Sequence, residues 1–432
     1  MSSFQPARGT RDFMPGEMIV RQKVFDTLRS VFERFGYAPL DTPAFESKEL
    51  LAAKGGGGEA VKQEIYWFKD KSNRELGLRF DLTVPTARVV STKPEIPKPF
   101  KRYQIGPVWR YEEVKSGRRY REFWQCDADV FGVSGMEAEA ETLAITCEAL
   151  EALGFKGIYI RLNNRKILEG MAELAGIGKD KFLGACRALD KVEKFGIKAV
   201  QDEMRGAGVK QEQCKKILKF CEIKGTNQDV LKKVKTLFRG VKKGLEGVEE
   251  IERILGLAKD YGISDKIRMD VSLARGLDYY TGPIFEAVVR GGEATGSVAG
   301  GGRYDRLIEL YGGKPTPATG ISFGVERIAG ILADSKQAEK SRTKVFVVAV
   351  NDKVRNETVK LARKLRESGV NSEIDLLGRN IRKQLDYVNT NGTPFALIVG
   401  EQELKSRKFT LRDMKTGKES KLDFGKIAKK LK

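Results

Sequence analysis

The chain has 432 residues, 41% of them hydrophobic, which is enough for an extensive core and indicates roughly two to four domains. Its 79 basic and 59 acidic residues give a net charge of +20, which favours a polyanionic partner, nucleic acid first, although a merely Lys-rich surface would give the same excess. Histidine is absent, which excludes histidine general bases, histidine partners of a nucleophile and histidine metal ligands.

The first residues, 1–17, are polar and lack the apolar stretch of a signal peptide. No apolar run elsewhere approaches the length of a membrane span. The five cysteines have no CxxC spacing, so we expect them to be reduced and expect no structural zinc site. The sequence therefore predicts a cytoplasmic protein with no membrane segment and no metal site.

An amphipathic helix is predicted over residues 17–35, where apolar residues recur on one helical face and Gly36 follows. A strand signal comes next, over residues 38–45. Pro39 and Pro43 interrupt it, which indicates an edge strand or a bulge.

Asp81 and Thr83 alternate within residues 78–88, so on a strand both would point to one face. A carboxylate and a hydroxyl on one face suit a substrate ammonium group. A solvated strand face is the alternative that the stretch by itself leaves open.

A hairpin is predicted over residues 100–132. Its first strand, 105–112, ends in Arg110 and Glu112, and its second strand, 123–131, has alternate side chains on one face. Those side chains are Phe123, Gln125, Asp127 and Asp129. The loop between the strands is basic and includes Arg118 and Arg119. Because arginine forks match phosphate oxygens, the hairpin predicts a triphosphate clamp; a hairpin that contacts only nucleic acid is the alternative.

A helix is predicted over residues 136–154, a strand over 158–162, and a mostly helical segment from about 166 to 265. The segment has a Lys-rich run over residues 232–243. A solvated helix face is one interpretation of that run, and phosphate contacts with an RNA acceptor arm are the other.

Residues 271–286 place Arg275, Asp278, Tyr279 and Tyr280 close together. Apolar residues on both sides, 271–273 and 284–285, predict strands that hold this polar group in a core. A hairpin with a surface arginine is the alternative.

Three glycines, Gly300–Gly302, precede Tyr304 and would let the backbone pass close to a ligand. Residues 318–327 predict a strand that turns into a helix carrying Arg327.

The C-terminal part begins after a polar linker, residues 333–342. Strands are predicted over 344–350, 372–376 and 395–399, with helices over 354–368 and 379–391 between them. This alternation predicts a parallel or mixed α/β sheet. Residues 341–432 hold 22 basic and 11 acidic side chains, a net charge of +11, which predicts a separate RNA-binding module.

Several of these stretches resemble one known family. RGLDYYTGPIFE, GGGRYDRL and GISFGVERI resemble the histidine-specific motifs and motif 3 of histidyl-tRNA synthetases. The hairpin resembles motif 2 of class II aminoacyl-tRNA synthetases, and the N-terminal helix and strand resemble motif 1, the dimer-forming element.

The resemblance implies an α+β catalytic domain built on an antiparallel sheet, with a helical insertion and a C-terminal α/β anticodon-binding domain. The catalytic core would span residues 1–165 and 266–332, the insertion 166–265, and the anticodon-binding domain 343–432. The implied activity is formation of histidyl-adenylate from L-histidine and ATP, followed by transfer to tRNA-His. A homodimer is implied, and Mg²⁺ is expected with ATP.

The resemblance also implies residue roles. Arg110 would hold the α-phosphate, and Arg327 with Arg119 or Arg118 the outer phosphates; which of the two adjacent arginines reaches phosphate stays open. Glu112 and Phe123 would hold adenine, and Arg275 would lie beside both the carboxylate and the α-phosphate. The histidine-binding residues would be Asp81, Thr83 and Gln125 at the amino group, Asp129 and Tyr280 at the imidazole, and Tyr279 and Tyr304 along the pocket.

Three rival functions remain at this point. One is another class II synthetase, such as the prolyl or threonyl type. Another is a synthetase-like paralogue that binds histidine to regulate a second enzyme. The last is a protein that only binds tRNA, which fits the charge but not the pocket residues.

Overall fold

The computed structural model describes residues 4–53, 63–111, 120–190, 192–275, 279–290, 296–333 and 341–432. These residues divide into two units. One comprises Met1–Arg11 with Val24–Ile331, and the other Asp12–Lys23 with Leu332–Lys432.

The strands up to residue 331 are β1 (Ala38–Pro39), β2 (Phe45–Ser47), β3 (Trp67–Lys69), β4 (Glu75–Leu78), β5 (Phe100–Trp109), β6 (Glu122–Phe131), β7 (Ile158–Asn164), β8 (Ile267–Met269), β9 (Pro283–Val289), β10 (Ala299–Arg303) and β11 (Ala318–Gly324). The helices are α1 (Pro15–Arg34), α2 (Lys48–Ala52), α3 (Thr83–Thr92), α4 (Glu137–Ala152), α5 (Arg165–Ala175), α6 (Lys179–Leu189), α7 (Val192–Gly206), α8 (Gln211–Cys221), α9 (Asn227–Leu237), α10 (Lys242–Asp260), α11 (Leu307–Leu310) and α12 (Val325–Ala333).

An eight-stranded sheet organises the first unit, in the order β1-β5-β6-β11-β10-β9-β7-β8. Its strand pairs are antiparallel except β1 with β5 and β7 with β8, which are parallel. Pro39 lies in the edge strand β1, as its lack of an N–H donor predicts. A smaller antiparallel sheet has the order β2-β4-β3.

Side-chain alternation gives the large sheet two different faces. On one face the α1 residue Phe32 packs its ring 5.6 Å from Tyr103 and 5.8 Å from Phe323. Phe25, also on α1, lies 5.0 Å from Trp124 of β6. The opposite face is polar and glycine-rich, and it carries the candidate site described below.

Residues 165–260 form the consecutive helices α5 to α10, which confirms the mostly helical prediction for this segment. Asn164 caps α5 by accepting a hydrogen bond from the Lys166 N–H at 2.9 Å. Gly176 ends α5 in the left-handed conformation with φ of 73°, a backbone geometry that favours glycine.

The second unit contains a mixed five-stranded sheet, in the order β13-β12-β14-β15-β16. Its elements are β12 (Val345–Ala349), α13 (Arg355–Glu367), β13 (Ser372–Ile374), α14 (Ile381–Thr390), β14 (Phe395–Val399), α15 (Glu401–Ser406), β15 (Phe409–Asp413), β16 (Glu419–Leu422) and α16 (Phe424–Leu431). Strand β12 is parallel to β13 and β14, and the two last pairs are antiparallel. The predicted alternation of strands and helices is therefore confirmed.

Three strand predictions were wrong. The predicted strand over 38–45 is not continuous, since β1 ends at Pro39 and β2 begins at Phe45. Residues 271–273 form a turn after β8, because the Asp270 carboxylate accepts a hydrogen bond from the Ser272 N–H at 3.0 Å and pairs with Arg161 at 2.7 Å. Asp81 and Thr83 do not alternate on a strand either. Thr83 begins α3, and Asp81 accepts a hydrogen bond from the Val84 N–H at 2.9 Å, so its carboxylate serves the first helical turn.

Candidate active site

Polar side chains from four strands meet on one face of the eight-stranded sheet. We call this the polar face, and it comprises Arg102 and Gln104 of β5, Gln125, Asp127 and Asp129 of β6, Ser322 of β11 and Glu286 of β9. Strand pairing sets Asp129 opposite Arg102 on one side and Gly320 on the other. The predicted shared face of Phe123, Gln125, Asp127 and Asp129 is confirmed by strand β6.

Glycines leave room for the functional side chains. A Cβ atom on Gly300 would overlap the guanidinium of Arg275, and one on Gly320 would overlap the carboxylate of Asp129. A Cβ on Gly302 would come within 2.9 Å of the Tyr280 ring. The glycines of β10 and β11 therefore let these side chains lie directly against the backbone.

Arg275 is held on this face by a carboxylate. Its Nη1 donates a hydrogen bond to Glu286 Oε1 at 2.8 Å, and its side chain is 20% exposed. Its guanidinium carbon lies 5.9 Å from the ring centroid of Tyr280. Burial by itself lowers the pKa of Arg275, but Tyr280 and Glu286 more than offset this and raise it above its ordinary value.

Asp129 lies among three tyrosines and one arginine. Tyr304 donates a hydrogen bond to its Oδ1, and Arg102 Nη2 lies 2.6 Å from its Oδ2, with the Arg102 side chain fully buried. The ring of Tyr279 lies 4.8 Å from that of Tyr280 and 5.8 Å from that of Tyr304. Burial raises the pKa of Asp129, and the charge of Arg102 opposes that rise.

Three buried oxygens beside this cluster have no hydrogen-bond partner among the described residues. They are Asp81 Oδ2, Gln125 Oε1 and Asp127 Oδ1. The amide nitrogen of Gln125 donates to Ser322 Oγ at 2.7 Å, which leaves its carbonyl oxygen available. Burial raises the pKa of Asp81 to about 6 and that of Asp127 to about 8. Such acceptors suit a cationic ligand.

Arg110 and Phe123 come together at the end of the hairpin. Strand β5 ends at Trp109, so Arg110 follows it, and its Nε donates to the Phe80 carbonyl at 2.9 Å. The guanidinium carbon lies 5.3 Å from the Phe123 ring centroid. Glu112, Arg118 and Arg119, and likewise Asp278, lie outside the described residues.

Arg327 lies on α12, as predicted from the strand-to-helix pattern. The side chain is exposed, and its Nη1 donates to the Ser297 carbonyl at 2.6 Å. The neighbouring Glu326 accepts a hydrogen bond from the Trp124 N–H at 3.2 Å, which ties α12 to β6.

Sequence reasoning gave no role to Glu286, Arg102, Asp127 or Ser322. A signal was present for three of them, since Asp127 alternates with Gln125 and Asp129 along β6. Glu286 is the one acid in the otherwise apolar strand β9, and Arg102 alternates with Gln104 along β5. Their partners could not be read from the sequence, because strand register decides them.

The described part of the chain contains no group of three or more acidic or cysteine side chains arranged to hold a metal ion. The helices in the described ranges are too short or too polar to cross a membrane.

The comparisons with known proteins agree over nearly the whole chain. A family model described as Histidyl-tRNA synthetase matches residues 9–328, and one described as Anticodon binding domain matches residues 344–432. The histidine–tRNA ligase of Thermococcus kodakarensis is 38% identical over 428 residues, covering 98% of this chain and 97% of that protein. That of Aeropyrum pernix is 40% identical over 429 residues, with the same coverage of 98% and 97%.

Among solved structures, a histidyl-tRNA synthetase from Nostoc sp. PCC 7120 has a TM-score of 0.87 and 31% identity, covering 100% of this chain and 99% of that one. A Bacillus halodurans protein described as an ATP phosphoribosyltransferase regulatory subunit/histidyl-tRNA synthetase has a TM-score of 0.74 and 21% identity, covering 90% of this chain and 98% of that one. At that identity the second similarity shows the fold alone.

Proposed function

The chain belongs to the histidyl-tRNA synthetase family, and we propose which of its residues bind each substrate and promote the reaction. The protein joins the carboxylate of L-histidine to the α-phosphate of ATP and expels pyrophosphate. It then transfers the histidyl group to the 3′ end of tRNA-His and releases AMP.

We propose that arginines supply most of the catalysis in the first step. The attacking carboxylate is already an anion, so no protein base is required, which fits a chain without histidine. Charge repulsion and misalignment form the barrier, and fixed cations lower both. Arg275 would lie by the carboxylate and the α-phosphate, and Arg110 would hold the α-phosphate. The fixing of Arg275 by Glu286 at 2.8 Å supports a preorganised role.

We propose that Asp81, Thr83 and Gln125 hold the amino group of histidine, and that Asp129 and Tyr280 hold its imidazole. Tyr279 and Tyr304 would line the same pocket. The unpaired oxygens of Asp81 and Gln125 support the first assignment. The hydrogen bond from Tyr304 and the Arg102 contact support the second, because they fix the carboxylate of Asp129 in place.

ATP would lie toward the hairpin and α12. We propose that Phe123 and Glu112 hold adenine, and that Arg327 with Arg118 or Arg119 holds the outer phosphates. The 5.3 Å distance between Arg110 and the Phe123 ring supports neighbouring sites for phosphate and base. Mg²⁺ would accompany ATP on its phosphate oxygens.

We also propose a homodimer formed through α1 and the following strand, working in the cytoplasm. Residues 344–432 match an anticodon-binding domain and carry most of the positive charge of residues 341–432, net +11, so they would bind tRNA. The domain limits proposed are 1–165 and 266–332 for the core, 166–265 for the insertion, 333–342 for the linker and 343–432 for the last domain.

The observation that carries the proposal is that one family match spans the residues of the polar face and a second spans the C-terminal unit. The test is amino-acid-dependent pyrophosphate exchange with all twenty amino acids side by side. We expect exchange with histidine alone. Exchange with proline or threonine would identify another class II synthetase. Histidine binding without exchange would identify a regulatory paralogue. Such a paralogue would be expected to lack Arg275 or the C-terminal domain, and both are present here.

A further inference from the structure

Asp127 is a buried carboxylate on the polar face, and the proposed function gives it no role. Its side chain lies on β6 between Gln125 and Asp129 and is 2% exposed. Strand pairing places it opposite Gln104 on β5 and Ser322 on β11. Burial disfavours the ionised form of this carboxyl unless a cation lies beside it, so a cationic ligand group that enters the site can replace its proton.

The arginines around Asp127 are already engaged with other groups. Arg102 lies 2.6 Å from Asp129 Oδ2, and Arg275 pairs with Glu286 at 2.8 Å. Arg79 donates to the carbonyl oxygens of Thr42 at 2.6 Å and Pro107 at 2.9 Å. Among the described residues no guanidinium group forms an ion pair with Asp127, although Arg102 Nε and Nη1 also have no hydrogen-bond partner there. The Asp127 carboxylate is therefore available to a cationic group of a ligand.

The unpaired oxygens indicate which cation fits. Asp81 Oδ2, Gln125 Oε1 and Asp127 Oδ1 are all buried acceptors without a hydrogen-bond partner in the described ranges. An alkylammonium group has three N–H donors and no acceptor. The number and kind of free acceptors thus match a primary ammonium, whereas the imidazole ring offers at most two N–H donors.

We propose that Asp127 accepts a hydrogen bond from the α-ammonium group of histidine, together with Asp81 and Gln125, and so selects for α-amino acids. The proposal rests on the proposed function, since it adds a residue to the same amino-acid pocket. Two carboxylates and one amide oxygen around one ammonium make charge-assisted hydrogen bonds. A ligand without the amino group would leave all three acceptors buried and unpaired, which penalises it.

The test uses Asp127→Asn, which removes the charge and keeps the shape. Calorimetry would measure the binding of L-histidine, of L-histidinol, which keeps the ammonium but lacks the carboxylate, and of 3-(imidazol-4-yl)propanoate, which lacks the amino group. We expect the variant to bind histidine and histidinol about tenfold more weakly or worse, and the propanoate within about twofold of wild type. Asp129→Asn should weaken all three ligands, and Asp260→Asn, at the exposed end of α10, none.

Two results would overturn the proposal. Equal losses of affinity for all three ligands would place Asp127 at the ring or in a structural role. An unchanged affinity for histidine would show that Asp127 does not contact its ammonium group. A wild-type protein that does not prefer histidine to other amino acids would instead contradict the proposed function.

If Asp127→Asn does not fold, a measurement on the wild-type protein still tests the proposal. Burial raises the pKa of Asp127 to about 8, so we expect its carboxyl to be mostly protonated in the empty site at about pH 6.5. The groups that act on its pKa are Asp81, Asp129, Arg102, Arg79 and Tyr279, together with a hydrogen bond to Ser322 that lowers it. Histidine binding should therefore release protons, seen as a dependence of the binding enthalpy on buffer, and propanoate binding should release fewer. Equal release with both ligands would contradict the proposal.

Discussion

Glu286 should act on the reaction through Arg275. Removing the charge with Glu286→Gln frees the guanidinium that Glu286 holds at 2.8 Å, so the rate of adenylate formation should fall while histidine affinity changes less. Arg275→Ala should raise the barrier by about 3 kcal/mol, as does the loss of one preorganised charge-stabilising donor. Single-turnover kinetics of both variants and of the double variant would measure the coupling.

The double variant distinguishes positioning from a general structural effect. If Glu286 works through Arg275, adding Glu286→Gln to Arg275→Ala should change the rate little further. Fully additive losses would show that Glu286 supports the site by another route.

Asp127 should also make the stability of the ligand-free protein depend on pH. Burial raises its pKa from 3.8 to about 8, so the folded state binds this proton more tightly than the unfolded state. The contribution of this carboxyl to stability is therefore full below about pH 4, declines as the pH rises, and is gone above the folded-state pKa. No histidine titrates in the same range, since the chain has none.

We expect the urea midpoint of the wild-type protein to fall between about pH 4 and about pH 8, and that of Asp127→Asn to fall less. Asp81, whose pKa burial raises to about 6, would contribute only the lower part of this decline. Parallel curves for the two proteins would show that the carboxyl of Asp127 is not protonated in the folded state.

Among whole elements, the glycine-containing strand β10 should be the least tolerant of substitution. Gly300→Ala places a methyl group where the guanidinium of Arg275 lies, so Arg275 must move. We expect pyrophosphate exchange to fall about 100-fold or more, because small displacements of a catalytic group have effects of that order. Gly256→Ala in α10 is the matched control: nothing lies within 4 Å of its Cβ, and exchange should not change.

The sequence predicted those elements whose pattern is local. Strand β6 showed period-two alternation from Phe123 to Asp129, and β11 with α12 showed a clear change of pattern before Arg327. Strand β14 was predicted at its exact bounds, 395–399. The predictions for these segments were correct because the burial pattern of each segment matches the period of its secondary structure.

The misses have a common physical cause. Asp81 and Thr83 match an alternating strand in sequence, but the carboxylate of Asp81 satisfies an N–H of the first turn of α3. The turn at residues 271–273 depends on an Asp270–Arg161 pair that joins residues far apart in the chain. The Arg275–Glu286 and Arg102–Asp129 pairs likewise depend on strand register, which composition and spacing do not specify.

The division into two units predicts separable activities for the whole molecule. A chain ending at Leu332 retains Arg110, Arg275 and Arg327, so it should still exchange pyrophosphate with histidine and ATP. It lacks residues 341–432 and their net charge of +11, so it should lose most tRNA charging and show a smaller salt dependence of tRNA binding. A salt titration of tRNA binding, run beside the exchange assay, would measure both effects.

The folding of the truncated protein is the control, because residues Asp12–Lys23 group with the C-terminal unit and lose that environment. A folded, dimeric truncation without exchange activity would show that the proposed core is not independent. An unchanged salt slope would show that the basic C-terminal unit is not a tRNA-binding surface.

The glycines beneath Arg275 and Asp129 also bear on how such a protein can evolve. Every amino acid other than glycine has a Cβ atom, so any missense change at a glycine codon introduces one. At Gly300 and Gly320 that atom would overlap the very side chains the pocket presents. We therefore expect every missense mutation at Gly300 or Gly320 to impair the site. A descendant protein could recover the site only by restoring the glycine or by rearranging the pocket around the new side chain.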